Sequence, residues 1–383
     1  MRRQLFSLLV VLVVLVAGPA LAVGATGDSI VAQTDDPTCE FPLEIEDATG
    51  ETVVIEEEPE EVVVTAQNVN QHIWELGAEE KVVGMPHAFT EYLEGSQERT
   101  NVLDGMILLT EEIVDLDADL VLAPNATGAE DVNTLRDLDQ TVYHYDLDTD
   151  LESVQESVAI TGQLLGECEA AEAVTGEMRE TISQVEQAVS GEETPPVFYD
   201  QGESEGSVFT PASETVENDV ITIAGGTNIA ADSGSGYIPL SAEIIAAENP
   251  EWIVVGEGQP PADVSAVQDS TAVEEGQIIE VNSNFISQHG PRNVDILVQI
   301  AETLHPEAMA DGADDGNGVD DGDDGAGADD VSDDADGVDD GDDADDADDD
   351  GDDADDADDD GAGLTVIAAI AGLTALVVVA RRR

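Results

Sequence analysis

Apolar and polar positions along this chain follow two rhythms, and the order of those rhythms predicts a fold. Leu43-Glu-Ile-Glu46 and Thr52-Val-Val-Ile55 alternate on either side of Ala48-Thr49-Gly50, the pattern of a strand, a turn and a strand. Short apolar runs follow at Glu61–Thr65, Lys81–Gly84, Asp119–Ala123 and Thr141–Tyr145. Segments of helical spacing separate them and end near Leu76-Gly77, Leu116 and Leu138. Strand and helix in alternation imply a parallel sheet covered by helices. Over 149–192 the rhythm changes. Leu151, Val154, Val158, Leu164, Leu165, Met178, Ile182 and Val185 recur at helical spacing without a proline, which predicts one long helix, weakened locally by Gly162, Gly166 and Gly176. Alternation then restarts. Val197-Phe-Tyr199 is a strand, 212–224 a helix, 241–247 a helix, Glu251–Val255 and Gln277–Val281 strands, and 294–304 the last helix.

The predicted fold class is α/β, with two Rossmann-like lobes joined by a single long helix. The N-terminal lobe covers 39–148, the connecting helix 149–192 and the C-terminal lobe 195–308. Two lobes with one connection leave a cleft, and clefts of that kind bind ligands.

The ends of the chain carry a different message. Arg2 and Arg3, an apolar run from Leu5 to Ala17 and Gly18-Pro-Ala-Leu-Ala22 read as a signal peptide over 1–25. Residues 311–360 are almost entirely Asp, Gly and Ala. They cannot bury enough apolar surface to fold, and as a coil they span about 40 Å, a disordered acidic linker. Leu364 to Ala380 is apolar and Arg381, Arg382 and Arg383 follow. The segment 362–383 therefore reads as a membrane-anchor or sorting helix whose arginines stay on the cytoplasmic side. The lobes are expected on the extracellular face of the membrane, exported and C-terminally anchored.

Charge sharpens this picture. The formal net charge is −79 on 383 residues. Between Cys39 and Ala310 the cations are Lys81, Arg99, Arg136, Arg179 and Arg292. Such a surface repels itself at ordinary salt. At molar salt the Debye length falls to about 3 Å and the repulsion fades, so the composition reads as that of an extreme halophile. It argues against nucleic acid as a partner, which requires a basic footprint. The two cysteines, Cys39 and Cys168, in an exported chain favour a disulfide over a metal site.

No constellation for covalent chemistry is present. Gly234-Ser235-Gly236 has no strand entering it and no helix leaving in register, so it is a loop and not a nucleophile elbow. No phosphate loop or dinucleotide fingerprint occurs in the required context. The chain is not expected to be an enzyme or to hold a cofactor. Of the five histidines, His72, His87 and His289 fall where they face the cleft, but no spaced ligand pair exists and no metal site is expected. Asn125-Ala-Thr127 is a glycosylation sequon.

Seven stretches in order resemble one family. They are Asp47-Ala-Thr-Gly50, Pro59–Val64, Leu76–Gly84, Glu112–Leu122, Ala224-Gly-Gly-Thr-Asn228, Asn249–Val254 and His305-Pro-Glu307. Together they resemble the solute-binding proteins of ABC importers, of the long-helix class that serves cobalamin, ferric siderophores and haem. The resemblance covers about Cys39 to Ala308. It implies an ABC permease and its ATPase as partners, and a glutamate on each lobe that docks onto permease arginines. Those positions fall on Glu111 and Glu243, each in the first turn of a predicted helix. The tail is similar to haloarchaeal surface-anchoring signals, with Gly361-Ala362-Gly363 where a Pro-Gly-Phe tripeptide usually stands.

In an open parallel sheet, ligands sit beyond the carboxyl ends of the strands. Those ends supply Gln67, Asn68, His87, Phe89 and Tyr92 in the first lobe, and Tyr199, Tyr237, Phe285, Gln288 and Arg292 in the second. Flat rings and amides suit a corrinoid such as cobalamin. A ferric siderophore of catecholate type wants several arginines, and haem wants a Tyr or His axial ligand. The ranking is corrinoid, then siderophore, then haem. A surface structural or adhesion protein with a closed apolar cleft is the alternative outside transport. Below about 0.5 M salt the acidic lobes should unfold. A melting temperature that stays flat from molar to 0.1 M salt would contradict the halophile reading.

Overall fold

The computed structural model describes residues 39–204 and 207–315. The expected signal peptide, most of the acidic linker and the C-terminal anchor helix lie outside these residues. Among the described residues no helix is long and apolar enough to cross a membrane.

Each lobe is organised by a parallel sheet. In the first lobe the spatial order is Thr100–Asn101, Val82–Met85, Val62–Val64, Leu120–Ala123 and Val142–His144, with every neighbouring pair parallel. In chain order this is 3-2-1-4-5, the doubly wound arrangement. The second lobe has Thr227–Asn228, Pro196–Tyr199, Trp252–Gly256 and Ile278–Val281, again all parallel, in the order 2-1-3-4. The central strands are unbroken apolar runs because both of their faces are covered. Val62, Val63, Val64 and Leu120 to Ala123 are all fully buried.

The N-terminal hairpin pairs Leu43–Glu46 with Thr52–Ile55, and Val53 and Ile55 join the first-lobe core. Its turn is clamped by Asp47, whose carboxylate accepts from the Arg136 guanidinium, from Thr49 and from the backbone N–H of His144. Burial by itself would raise the Asp47 pKa, but these hydrogen bonds outweigh it and hold the group below its ordinary value.

The connection between the lobes differs from the expected single helix. Two helices, Leu151–Leu165 and Cys168–Ala188, replace it. The first starts at a capping box formed by Asp150 and Ser153. It ends at Gly166, which adopts φ +81°, a left-handed conformation that glycine takes without steric cost. The apolar spacing continues across this break, which is why the pattern reads as one helix. Leu164 and Leu165 belong to the first-lobe core, whereas Leu151, Val154, Met178 and Val185 belong to the second-lobe core. The connecting helices are thus part of both cores.

Two further differences concern the second lobe. Glu203–Ser204, Ser207–Pro211 and Tyr237–Ser241 form a small antiparallel sheet that the sequence pattern did not indicate. The helix expected over 212–224 is Val216–Ile223, because Thr215 caps it by accepting from the N–H of Asn218. The last helix, Asn293–Leu304, is followed by another, Pro306–Asp315, which extends into the segment expected to be an unstructured linker from 311.

The two cysteines are joined. Cys39 and Cys168 form a disulfide with Cα atoms 5.8 Å apart across a separation of 129 residues. It ties the start of the first lobe to the first residue of the second connecting helix. In the chain-entropy description a loop of this length contributes about 5 kcal/mol. Replacing both cysteines with serine should lower the denaturant midpoint by a matching amount. An unchanged midpoint would mean that the bridge adds nothing to the folded chain.

Candidate ligand-binding site between the lobes

The lobes meet where the segment after Ile278–Val281 reaches the first helix of the other lobe, Asn68–Glu75. That segment begins as a short helix, Ser283–Ser287, capped by Asn282, whose side chain accepts from the N–H groups of Asn284 and Phe285. Asn293, fully buried, braces it by donating to the carbonyls of Phe285 and Ile286 and accepting from the N–H of Gly290. A Cβ at Gly290 would lie 2.4 Å from Oε1 of Gln71, so a larger residue there would push that side chain out of its present place.

The outer part of this seam brings together five of the expected ligand residues. Tyr92 stacks edge-on against Phe285, with ring centroids 5.6 Å apart. The Arg292 guanidinium lies 5.2 Å over the Phe285 ring and pairs with Glu75 across the lobes, Nε to Oε1 at 2.6 Å. Tyr92 donates to Oε1 of Gln288 at 3.0 Å, and Gln288 donates to the Phe89 carbonyl at 2.7 Å. Gln71 links both sides: its Nε2 donates to the Tyr92 hydroxyl and its Oε1 accepts from the N–H of Arg292. Phe89 is exposed and holds φ +63°, a strained conformation for a bulky residue and one typical of functional loops.

The inner part is buried and titratable. Nε2 of His72 donates to the His289 carbonyl at 2.9 Å, and the Thr161 hydroxyl lies 3.2 Å from its Nδ1. A neutral ring carrying its proton on Nε2 satisfies the bond to His289, while the single proton of the Thr161 hydroxyl goes to the Ser157 carbonyl at 2.7 Å. Burial pushes His72 down to about 4. His289 is also lowered to about 4, first by burial and then by His72. Its ring stands 4.0 Å from Asp148 on one side and 4.0 Å from Glu217 on the other. Neither distance is a hydrogen bond, so burial outweighs ion pairing and all three groups are pushed toward their neutral forms. Asp148 rises to about 7 through burial, opposed by the Ser157 hydroxyl and reinforced by Asp146, Asp150 and Glu156. Glu217 rises to about 7 through burial, although Tyr237 donates to its carboxylate at 2.7 Å.

The remaining expected residues are placed as follows. Gln67 and Asn68 open the helix Asn68–Glu75 and are half-buried. His87 turns into its own lobe, where its Nε2 bonds the Arg99 carbonyl at 2.8 Å. Tyr199 belongs to the second-lobe core and is 3% exposed. Glu111 and Glu243 are exposed, in the first turns of Thr110–Asp115 and Ala242–Glu248. Asn125 is exposed and lines an open polar pocket of about 730 Å³ with Thr49, Asn133, Arg136 and Asp146. His305 bonds the Gly225 carbonyl, a structural role. Among the described residues no cluster of His, Cys, Asp and Glu has the geometry of a metal site.

A parallel-sheet protein of two lobes, with a seam of rings and amides between them, matches the periplasmic binding protein family over residues 62–284. The chain belongs to this family. A cobalamin-binding protein of Halobacterium salinarum is 35% identical over 322 residues, covering 80% of this chain and 86% of that relative. Among solved structures, the periplasmic vitamin B12 binding protein BtuF of Vibrio cholerae has a TM-score of 0.56 at 21% identity, covering 64% of this chain and 96% of that one. The periplasmic heme-binding protein RhuT of Roseiflexus has a TM-score of 0.57 at 23% identity, covering 66% and 99%. At such identities the two structures establish the shared fold. The relatives are named as binding proteins and not as enzymes.

Reading the sequence missed Gln71, Glu75, Asp148, Glu217 and Asn293. In a chain this acidic, Asp148 and Glu217 look like any other carboxylate, and only burial distinguishes them. The glutamate allows a test. Because the Glu217 pKa is raised when folded, its contribution is fully present below about 4.5 and is lost as pH rises through about 7. Asp148 acts in the same sense as Glu217, and His72 and His289 act oppositely between 6.5 and about 4, so the four largely offset one another and the test is the difference between variant and native chain. Glu217→Gln keeps an acceptor for Tyr237 and cannot ionise. Its stability relative to the native chain should therefore climb from pH 5 to pH 8 by about 3 kcal/mol, measured by urea unfolding. A difference that does not vary with pH would show that Glu217 ionises freely.

Proposed function

We propose that the protein is the cell-surface receptor of an ABC importer, capturing a corrinoid of the cobalamin type at the seam between its lobes and delivering it to the permease. The observation that carries this reading is the chemistry of the seam. Phe89, Tyr92 and Phe285 supply rings, and the Tyr92 hydroxyl and the Phe89 carbonyl set a donor beside an acceptor. A corrinoid offers a broad apolar face edged with amides, which these groups complement. The cobalamin-binding relative supports the same ligand class.

The seam suits an iron chelate less well. A catecholate complex carries several negative charges, and Arg292 is already committed to Glu75 and Asp295. Haem wants a free axial Tyr or His. Tyr92, His72 and His87 are each engaged in hydrogen bonds within the protein.

Glu111 and Glu243 are the proposed anchors for permease arginines. Both are exposed at helix starts, one on each lobe, and a charge-assisted contact of this kind survives high salt better than long-range attraction. We place the lobes outside the cell, with Asn125 accessible to a glycan. Calorimetric titration with cyanocobalamin in molar NaCl should give one site per chain. Glu111→Ala with Glu243→Ala should keep that affinity and abolish uptake by cells that depend on the protein. No heat with cyanocobalamin, alongside binding of a ferric chelate or haem, would replace the corrinoid reading.

A further inference from the structure

The carboxamide of Gln288 belongs to the second lobe but sits in a slot made by the first. Its Oε1 accepts from the Tyr92 hydroxyl at 3.0 Å, and its Nε2 donates to the Phe89 carbonyl at 2.7 Å. Both partners are oriented from within the first lobe. The Tyr92 hydroxyl accepts from Nε2 of Gln71, which leaves its own proton aimed into the slot. The left-handed backbone of Phe89 is the conformation in which its carbonyl meets Gln288. The second N–H of Gln288 stays with its own lobe, donating to Oδ1 of Asn284 at 3.2 Å.

One donor beside one acceptor is the complement of a primary carboxamide. A carboxylate would set a negative oxygen against the Phe89 carbonyl, and an ammonium would leave the Tyr92 proton unused. Gln288 is itself 6% exposed, yet Phe89, whose carbonyl it bonds, is 37% exposed, and its loop carries the half-exposed Arg292. The slot is buried beside exposed residues of the seam. Exchanging one amide for another in it conserves the number of hydrogen bonds, so displacement costs little. Gln288, once displaced, keeps Asn284.

We propose that the slot between Tyr92 and Phe89 is a carboxamide subsite, filled by Gln288 as an internal substitute, and that a peripheral carboxamide of the ligand takes its place. This rests on the corrinoid reading for the identity of the ligand, and on the slot geometry for the chemistry recognised. The protein thus closes its seam with the functional group that it later reads, and it selects amides over the corresponding acids.

Two measurements test this, and they fail separately. Gln288→Ala empties the slot. Propionamide should raise the melting temperature of this variant, and sodium propionate at equal ionic strength should not. The native chain should respond to neither. Tyr92→Phe in the same background keeps the ring against Phe285 and should abolish the propionamide response. Gln288→Asn, too short to span the slot, serves in the same way if the alanine variant does not fold. The second measurement is cyanocobalamin affinity. Removing the internal competitor should tighten binding by roughly three- to tenfold, and adding Tyr92→Phe should reverse that gain. Equal responses to amide and carboxylate would overturn the proposal, as would weaker cobalamin binding by Gln288→Ala, which would make Gln288 a direct ligand contact. A propionamide response without cobalamin binding by any variant would uphold the slot and overturn the corrinoid reading.

Discussion

The contact of residues 288–292 with the helix Asn68–Glu75 joins the lobes through polar groups. Gln71, His72 and Glu75 of that helix meet the His289 carbonyl and Arg292 of the second lobe, and Tyr92 beside them meets Gln288, largely through directional bonds. An apolar seam of similar extent would close and stay closed, because separating it exposes surface that water disfavours. Hydrogen bonds are exchanged with water or with a ligand at small net cost. The polar residues here make the contacts of the seam exchangeable, as the proposed ligand site requires, while Asn293 braces the loop that carries them.

Beneath that seam the chain handles its acidity differently from its surface. Outside, carboxylates are solvated, and their mutual repulsion depends on salt. Inside, Asp148 and Glu217 flank His289 where counter-ions do not reach, and burial shifts all three toward neutrality. Tyr237 and Ser157 satisfy the carboxyl oxygens without adding charge. Held near neutrality, these buried groups add little to the charge repulsion that salt must screen at the surface.

The connecting helices set the distance between the lobes. Their side chains are divided between the two cores, so neither lobe packs fully without them. The break at Gly166 sends the second helix along the second lobe, against Asn293–Leu304 and Pro306–Asp315, and the disulfide at Cys168 fastens this turn to the start of the first lobe. A hinge at the connection is restrained on both sides.

Much of the fold was legible in the residues. Buried parallel strands are continuous apolar runs, and Val62–Val64, Leu120–Ala123 and Trp252–Gly256 lie within a residue or two of where the pattern puts them, since period and burial are local properties. The pairing of Cys39 with Cys168 followed from an even count in a chain that reads as exported. Phe89, Tyr92, Phe285, Gln288 and Arg292, named from the strand-end rule, do come together at the seam, because strand ends of the two lobes face one another in this topology. The break at Gly166 was not, since apolar spacing continues through it and a single glycine does not announce its φ. Nor was the difference between Tyr92, on the seam beyond its strand, and Tyr199, which closes its strand and lies in the core. The roles of Asp148 and Glu217 were equally hidden, because a carboxylate acquires its unusual pKa from the atoms that pack around it. Local sequence determined which elements form. The tertiary structure decided which polar groups are buried together, because burial and partner distance arise only when segments as far apart as Gln71 and Arg292 meet.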